Sequence, residues 1–276
     1  MKILIVNTYD IQGGAARAAY RLHNSLLNKG VNSKMLVQSK KTGDSTVFCP
    51  SSKMQKIAVK IRSSIDQLPV KFYDERTETL FSPSIVPSSN IIKRINEINP
   101  DIVHLHWINA GMIRIEDLSK INSPIVWSLH DMYPFTGGCH YDDNCGRFKN
   151  NCGNCKVLKS KNNNDISRKI WKRKRKVLDN ISNLTIIGLS RWMENQAKKS
   201  SLFHSLNVIN LPNGIDTNVF KPHSKDFSRN LWNLPKDKKL ILFGAMDATS
   251  DPRKGYNELL ESLNMLNIND TEIIIF

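Results

Sequence analysis

"KILIVNTYDIQGGAARAAYRLHNSLLNKG", residues 2–30, decides the fold. Its opening apolar, β-branched run predicts a strand over 2–7, and Leu22, Leu26 and Leu27 then fall on one stripe of a helix over 15–29. Ala15, Ala16, Ala18 and Ala19 keep that helix slim enough to lie close against a sheet. Strand, turn and helix make the first βα unit of a parallel sheet. Gly13 and Gly14 in the turn let backbone approach a ligand, and the free N–H groups opening a helix suit a phosphate. A tight turn alone would use the same two glycines. The spacing is not G-x-G-x-x-G, so the dinucleotide fingerprint is absent.

The same alternation continues outward. Strands are predicted at 34–38, 101–106, 124–129, 184–188 and 207–211, with helices at 53–66, 89–98, 114–120, 166–181 and 190–199. Residues 1–212 therefore read as one doubly wound domain. After "NVINLPNGIDTNVFKP" (207–222) the pattern restarts, with a strand at 239–244, a helix at 255–266 and a second strand at "EIIIF" (272–276). Residues 213–276 read as a linker and the start of a second α/β domain. The chain ends inside an apolar run, so the expectation is that this domain is incomplete.

Lys and Arg number 40 against 25 Asp and Glu, and the resulting charge of +15 favours anionic partners: phosphates, acidic lipid surfaces or nucleic acid. No interleaving of aromatic and basic residues and no nucleic-acid-binding pattern accompanies the charge, so nucleic acid is not expected. No run of 18 apolar residues occurs, and no cleavage site follows the apolar opening, which makes the cytoplasm the default location. Disulfides are uncommon there.

"DIVHLHW" (101–107) and "PIVWSLHD" (124–131) each carry histidine near the carboxyl end of a strand, where open parallel sheets bind ligands. His104 and His106 share one strand face; the residues alone allow both to be hydrogen-bonded core histidines. His130, followed by a polar loop, is the stronger candidate. The loop 131–163 holds Cys139, Cys145, Cys152 and Cys155. Four thiolates would close a structural zinc site with no open position, while the single C-x-x-C at 152–155 leaves reduced thiols, and behind them disulfides, open. Downstream, "DISRKIWKRKRKVLDNI" (165–181) pairs an apolar face of Ile166, Ile170, Val177 and Ile181 with seven basic residues between 168 and 176. It reads either as a helix packed on its own sheet or as one lying on an anionic membrane.

Three landmarks, "GGAARAAYRL" (13–22), "SLHDMYPFTGGCHY" (128–141) and "LPNGIDTNVFKP" (211–222) followed by "LFGAMDATSDPRKGYNELL" (242–260), together resemble the family 4 glycosyltransferases of bacterial polysaccharide synthesis. The resemblance implies the GT-B fold of two Rossmann-like domains. It also implies retaining transfer of a sugar from a nucleotide-sugar donor to a glycan or lipid-linked acceptor, without a catalytic metal. On that likeness Gly13 and Gly14 lie near the donor phosphates, His130 reaches the transferred sugar, and Lys254 neutralises the diphosphate. His106 and Asp131 are then expected on the acceptor side, and membrane association on the inner face accords with lipid-linked acceptors. Where many members have arginine after the strand glycine, Ala245 follows Gly244, so that phosphate contact is expected of Arg253. The family's pair of glutamates seven residues apart, which hold donor sugar and ribose, has no match in these residues. A non-catalytic fragment or a zinc-stabilised basic binding module is the alternative.

Overall fold

A computed structural model describes residues 1–50, 53–245, 247–266 and 270–276; the side chains of 53, 55 and 56 are not described. The chain divides into two units, Met1–Ile215 and Asp216–Phe276, three residues from the boundary read in the sequence.

The first unit is a seven-stranded parallel sheet in the order β3-β2-β1-β4-β5-β6-β7. Its strands are β1 (Lys2–Tyr9), β2 (Asn32–Ser39), β3 (Val47–Phe48), β4 (Ile102–Leu105), β5 (Ile125–Leu129), β6 (Leu184–Gly188) and β7 (Asn207–Asn210). Helices α1 (Gly14–Asn28), α2 (Lys53–Gln67), α3 (Ser89–Ile98), α4 (Ile166–Leu178) and α5 (Arg191–Lys199) connect them. Both sheet faces are covered, as the near-continuous apolar strands require. Leu4, Val6, Val103, Leu105, Trp127 and Ile186 are buried in one core cluster. Ile3, Ile5, Met35 and Val37 form the other with Ala19 of α1, the alanine face allowing the close approach. Asp165 caps α4 by accepting the amide of Arg168, and Ser190 caps α5 by accepting that of Met193.

The differences from the sequence reading are local. The helix expected at 114–120 is a 3₁₀ turn, Ile115–Lys120, short enough for the tighter i→i+3 winding to hold. α4 stops at Leu178 rather than 181, where Asp179 and Asn180 compete for backbone hydrogen bonds. The two-residue β3 is too short to carry a period.

The second unit pairs β8 (Lys239–Phe243) with β9 (Thr271–Ile275) in parallel, from Lys239 against Thr271 to Phe243 against Ile275. Helices α6 (Lys225–Leu231), unforeseen in the sequence, and α7 (Tyr256–Met265) accompany them.

Candidate functional site

Strand order reverses direction of growth between β1 and β4. At such a switch point the connections leave to opposite sides and open a crevice beyond the carboxyl ends of the strands. The residues bordering it come from three turns. After β1, Gly13 adopts φ 84°, a conformation that suits glycine, and α1 begins at Gly14. A Cβ on either glycine would meet no atom within 4 Å, so packing does not require their smallness. The first amides of α1 have no side-chain cap. After β4 come His106 and Trp107, and after β5 come His130 and Asp131.

β1 and β4 are knitted together at this edge. The amide of Thr8 donates to Trp107 O at 2.8 Å, and the amide of Trp107 donates to Asn7 Oδ1 at 2.7 Å. Tyr9 stacks on the Trp107 ring with centroids 6.0 Å apart. Three histidines lie in sequence across β4 and β5. His104 Nε2 is 2.8 Å from Ser128 Oγ, and His106 Nδ1 is 2.9 Å from His130 Nε2. The rings of His104 and His106 stack at 4.5 Å. Burial, aided by the neighbouring His130, pushes His104 down to about 4, and burial pushes His130 down to about 4 as well. His106 is held well below the usual imidazole value by burial and by its two neighbours. All three are therefore neutral near pH 7.

Asp131, expected on the acceptor side, is buried and already engaged. It accepts from Trp107 Nε1 at 3.0 Å and the Tyr133 amide at 2.9 Å, and its Oδ2 is 2.6 Å from His140 Nδ1. Burial raises its carboxyl, but His140, the Tyr133 amide and Trp107 outweigh that and hold it below the usual range. His140 in turn reaches Ser82 Oγ at 2.8 Å. Asp131 thus fixes the turn after β5 instead of presenting a free carboxylate. His140 had no sequence signal beyond its place in the cysteine loop.

The loop 131–163 is held by packing. Cys139 forms an antiparallel bridge with Phe81, and Cys139 and Cys155 are buried with Val70, Phe81, Val157, Leu158 and Ile170. Gly138, at φ 121°, lies where a Cβ would come within 2.7 Å of the Phe81 ring. All five cysteines are free, and among the described residues no three or more His, Cys, Asp or Glu side chains are grouped to hold an ion. Burial pushes the Cys152 thiol up to about 12 and that of Cys155 up to about 11, and burial with the neighbouring Cys155 and Cys152 raises Cys139 well above the usual thiol value. Cys145 is half-buried and lies near enough for its charge to raise the thiols of Cys139, Cys152 and Cys155.

Lys174 of α4 ties the start of this loop to the helix. It is completely buried, donates to the carbonyls of Tyr133 and Thr136, and lies 3.6 Å from the Tyr133 ring centroid. Burial pushes its ammonium down to about 7. Arg173 donates to both oxygens of Glu116 and to the carbonyls of Pro83 and Ser84. Ile170, Val177 and Ile181 are buried, so the apolar face of α4 is spent in the core and is not offered to a membrane.

In the second unit, Arg253 and Lys254 occupy a 3₁₀ turn that ends at Gly255, immediately before α7. Arg253 Nε and Nη2 donate to the two carboxylate oxygens of Asp251 at 2.9 and 2.7 Å. Its charge is therefore matched locally, and the phosphate contact expected of it is not preformed. Lys254 is exposed beside the helix start.

A family model described as Glycosyltransferase Family 4 matches residues 12–219. The putative colanic acid biosynthesis glycosyl transferase WcaC of Escherichia coli (strain K12) is 27% identical over 169 residues, 57% of this chain and 40% of that protein. Among solved structures, sucrose-phosphate synthase (tll1590) from Thermosynechococcus elongatus superposes with a TM-score of 0.57 at 12% identity, over all of this chain and 62% of its own. Anabaena Alr3699/HepE in complex with UDP-glucose gives 0.54 at 12% identity, over all of this chain and 60% of its own. These structural likenesses show the fold, and the chain spans about 60% of the length of the solved structures.

Proposed function

Because the chain belongs to glycosyltransferase family 4, we propose that it serves the transfer of a sugar from a nucleotide-sugar donor to a glycan or lipid-linked acceptor, with retention, in cytoplasmic polysaccharide synthesis. One observation carries the reading: at the β1/β4 switch point an open glycine turn and an uncapped helix start lie on the strand next to the one that brings His106 against His130. Transfer leaves a nucleoside diphosphate, so the chemistry needs fixed positive potential where charge develops on the leaving oxygen. The amides opening α1, reached past Gly13 and Gly14, supply it in the first unit; in the second, Lys254 is an exposed cation at the start of α7. His130, neutral and directed by His106, hydrogen-bonds a hydroxyl of the transferred sugar. The loop 131–163, fixed by Lys174 and Asp131, shapes the acceptor side. HepE, of the same fold, has been solved with UDP and glucose and with UDP-glucose, which supports a uridine donor.

Titration calorimetry with a panel of nucleotide-sugars tests this. Binding of UDP-glucose or another member of the panel, weakened in Gly14→Ala and in Lys254→Ala at unchanged stability, is the expected result. Failure of the folded chain to bind any of the panel overturns it.

A further inference from the structure

The amphipathic character of α2 is turned inside out. Met54, Ile57, Ile61 and Ile65 follow one another at three- and four-residue steps, which at the α-helical period places them within an arc of about 80°. Leu68 and Phe72 continue the row into the 3₁₀ turn Leu68–Phe72. This row faces solvent, with exposures from 42% at Ile65 to 86% at Phe72. Polar contacts from its other side hold α2 to the rest of the unit. Arg62 Nε and Nη2 donate to Gly111 O at 3.0 and 2.6 Å, Asp66 is fully buried and accepts the amides of Ser84 and Ile85, and Gln67 donates to Phe81 O.

A water-facing helix has no reason to carry such a row, since leaving each isoleucine or phenylalanine hydrated forgoes the gain of burial. The charge around the row says what covers it. Asp66 is the only acidic residue between 53 and 72, and it points inward; acidic residues resume at Asp74. Lys60 and Lys71 are exposed. At the far end, Phe72 lines a cavity of about 640 Å³ together with Lys169, from the outward face of α4. The chain as a whole carries +15. One exposed apolar row a single helix wide, free of outward negative charge and bordered by lysines, is the surface an interfacial helix presents to acidic headgroups.

We propose that the α2 row from Met54 to Phe72 docks the first unit on an anionic lipid bilayer, the isoleucines and Phe72 entering the headgroup boundary and Lys60, Lys71 and Lys169 meeting the headgroups. The surface involved is α2, in place of the α4 face read from the sequence. Docking needs no donor, so it stands or falls separately from sugar transfer.

Cosedimentation of the chain with vesicles of phosphatidylglycerol and phosphatidylcholine tests it, against vesicles of phosphatidylcholine alone. Binding should require phosphatidylglycerol and weaken with salt. The triple variant Ile57→Ser, Ile61→Ser, Ile65→Ser should keep its circular dichroism and lose affinity about tenfold or more, each side chain forfeiting its transfer into the interface. A Phe72→Trp variant should shift its emission to the blue on those vesicles. The proposal is overturned if the parent chain ignores the acidic vesicles, if the triple variant binds as the parent does, or if the Trp emission stays put. It is also overturned if the triple variant changes only the mass seen by light scattering, which would make the row an interface between two copies.

Discussion

His106 Nδ1 lies 2.9 Å from His130 Nε2, so one proton stands between two imidazoles that burial keeps neutral. His106 Nε2 is buried without a partner. A stranded N–H costs more than a stranded lone pair, which puts the proton on His106 Nδ1 and makes His130 Nε2 the acceptor. His106 thereby fixes the orientation and tautomer of His130. In donor turnover, His130→Ala should lower kcat by about 10²- to 10⁴-fold. His106→Leu should lower kcat by about tenfold with little change in KM, while His106→Asn, whose amide nitrogen stands where Nδ1 was, should recover part of the loss. Equal loss in the Leu and Asn variants would remove His106 from the mechanism.

Acid should destabilise the first unit through the same histidines. His104 and His130 fall from 6.5 to about 4 in the fold, so between those values the unfolded chain binds more protons. The histidine contribution is then complete above pH 6.5 and falls as pH drops through 6.5 toward 4, by on the order of 3 kcal/mol for each group. Urea midpoints should decline as pH falls from about 6.5 toward 4, less steeply in His104→Asn. Level midpoints down to about pH 4.5 would show that these rings titrate normally.

The strands were legible because a parallel sheet buried on both faces writes itself as apolar runs, and "KILIVN" or "LTIIG" admits no other placement. The positions of Gly13, Gly14, His106 and His130 followed from the strands that carry them. Lys174 was not legible: in "KRKRK" nothing distinguishes the one lysine whose place on the helix points it at the carbonyls of Tyr133 and Thr136. The period of α2 likewise marks an apolar row without telling which way it faces. That direction is set by Arg62 and Asp66 finding partners at Gly111, Ser84 and Ile85, residues distant in sequence. The cysteines were ambiguous for a related reason, since spacing cannot separate thiols that pack from thiols that ligate.

Removing the Lys174 ammonium should cost more than the loss of a surface charge. Lys174→Met keeps most of the stem but leaves the carbonyls of Tyr133 and Thr136 without their donor, at a cost of about 2–4 kcal/mol in denaturant unfolding. Lys174→Gln, with an amide donor on a shorter stem, should recover some of it. Lys172→Met, on the exposed side of the same helix, should change stability by less than about 0.5 kcal/mol.

Alkylation at neutral pH should separate the cysteines by burial. Cys139, Cys152 and Cys155 are buried and their thiols are pushed up by that burial, so they should react only as the unit opens. Cys49, half-buried, should be labelled first, ahead of Cys145, whose thiol burial also raises. Mass spectrometry of partly labelled protein reads the order. Rapid labelling of Cys139 in the native chain would contradict the packed loop.

Two glycines should respond to alanine in opposite ways. At Gly138 the backbone holds φ 121° and a Cβ would stand 2.7 Å from the Phe81 ring, so Gly138→Ala should destabilise the first unit by about 3 kcal/mol or more and loosen the cysteine loop. At Gly14 the space is open and φ is ordinary, so Gly14→Ala opens α1 with a better helix former and should leave stability level or raise it by about 0.5 kcal/mol. A packing role alone would therefore make Gly14→Ala harmless in every assay. If the donor diphosphate approaches the first amides of α1, the added methyl group intrudes between them, and UDP-glucose affinity should fall about tenfold in a protein that is no less stable. Parent-like affinity in that variant would place the phosphates elsewhere along the β1/β4 crevice.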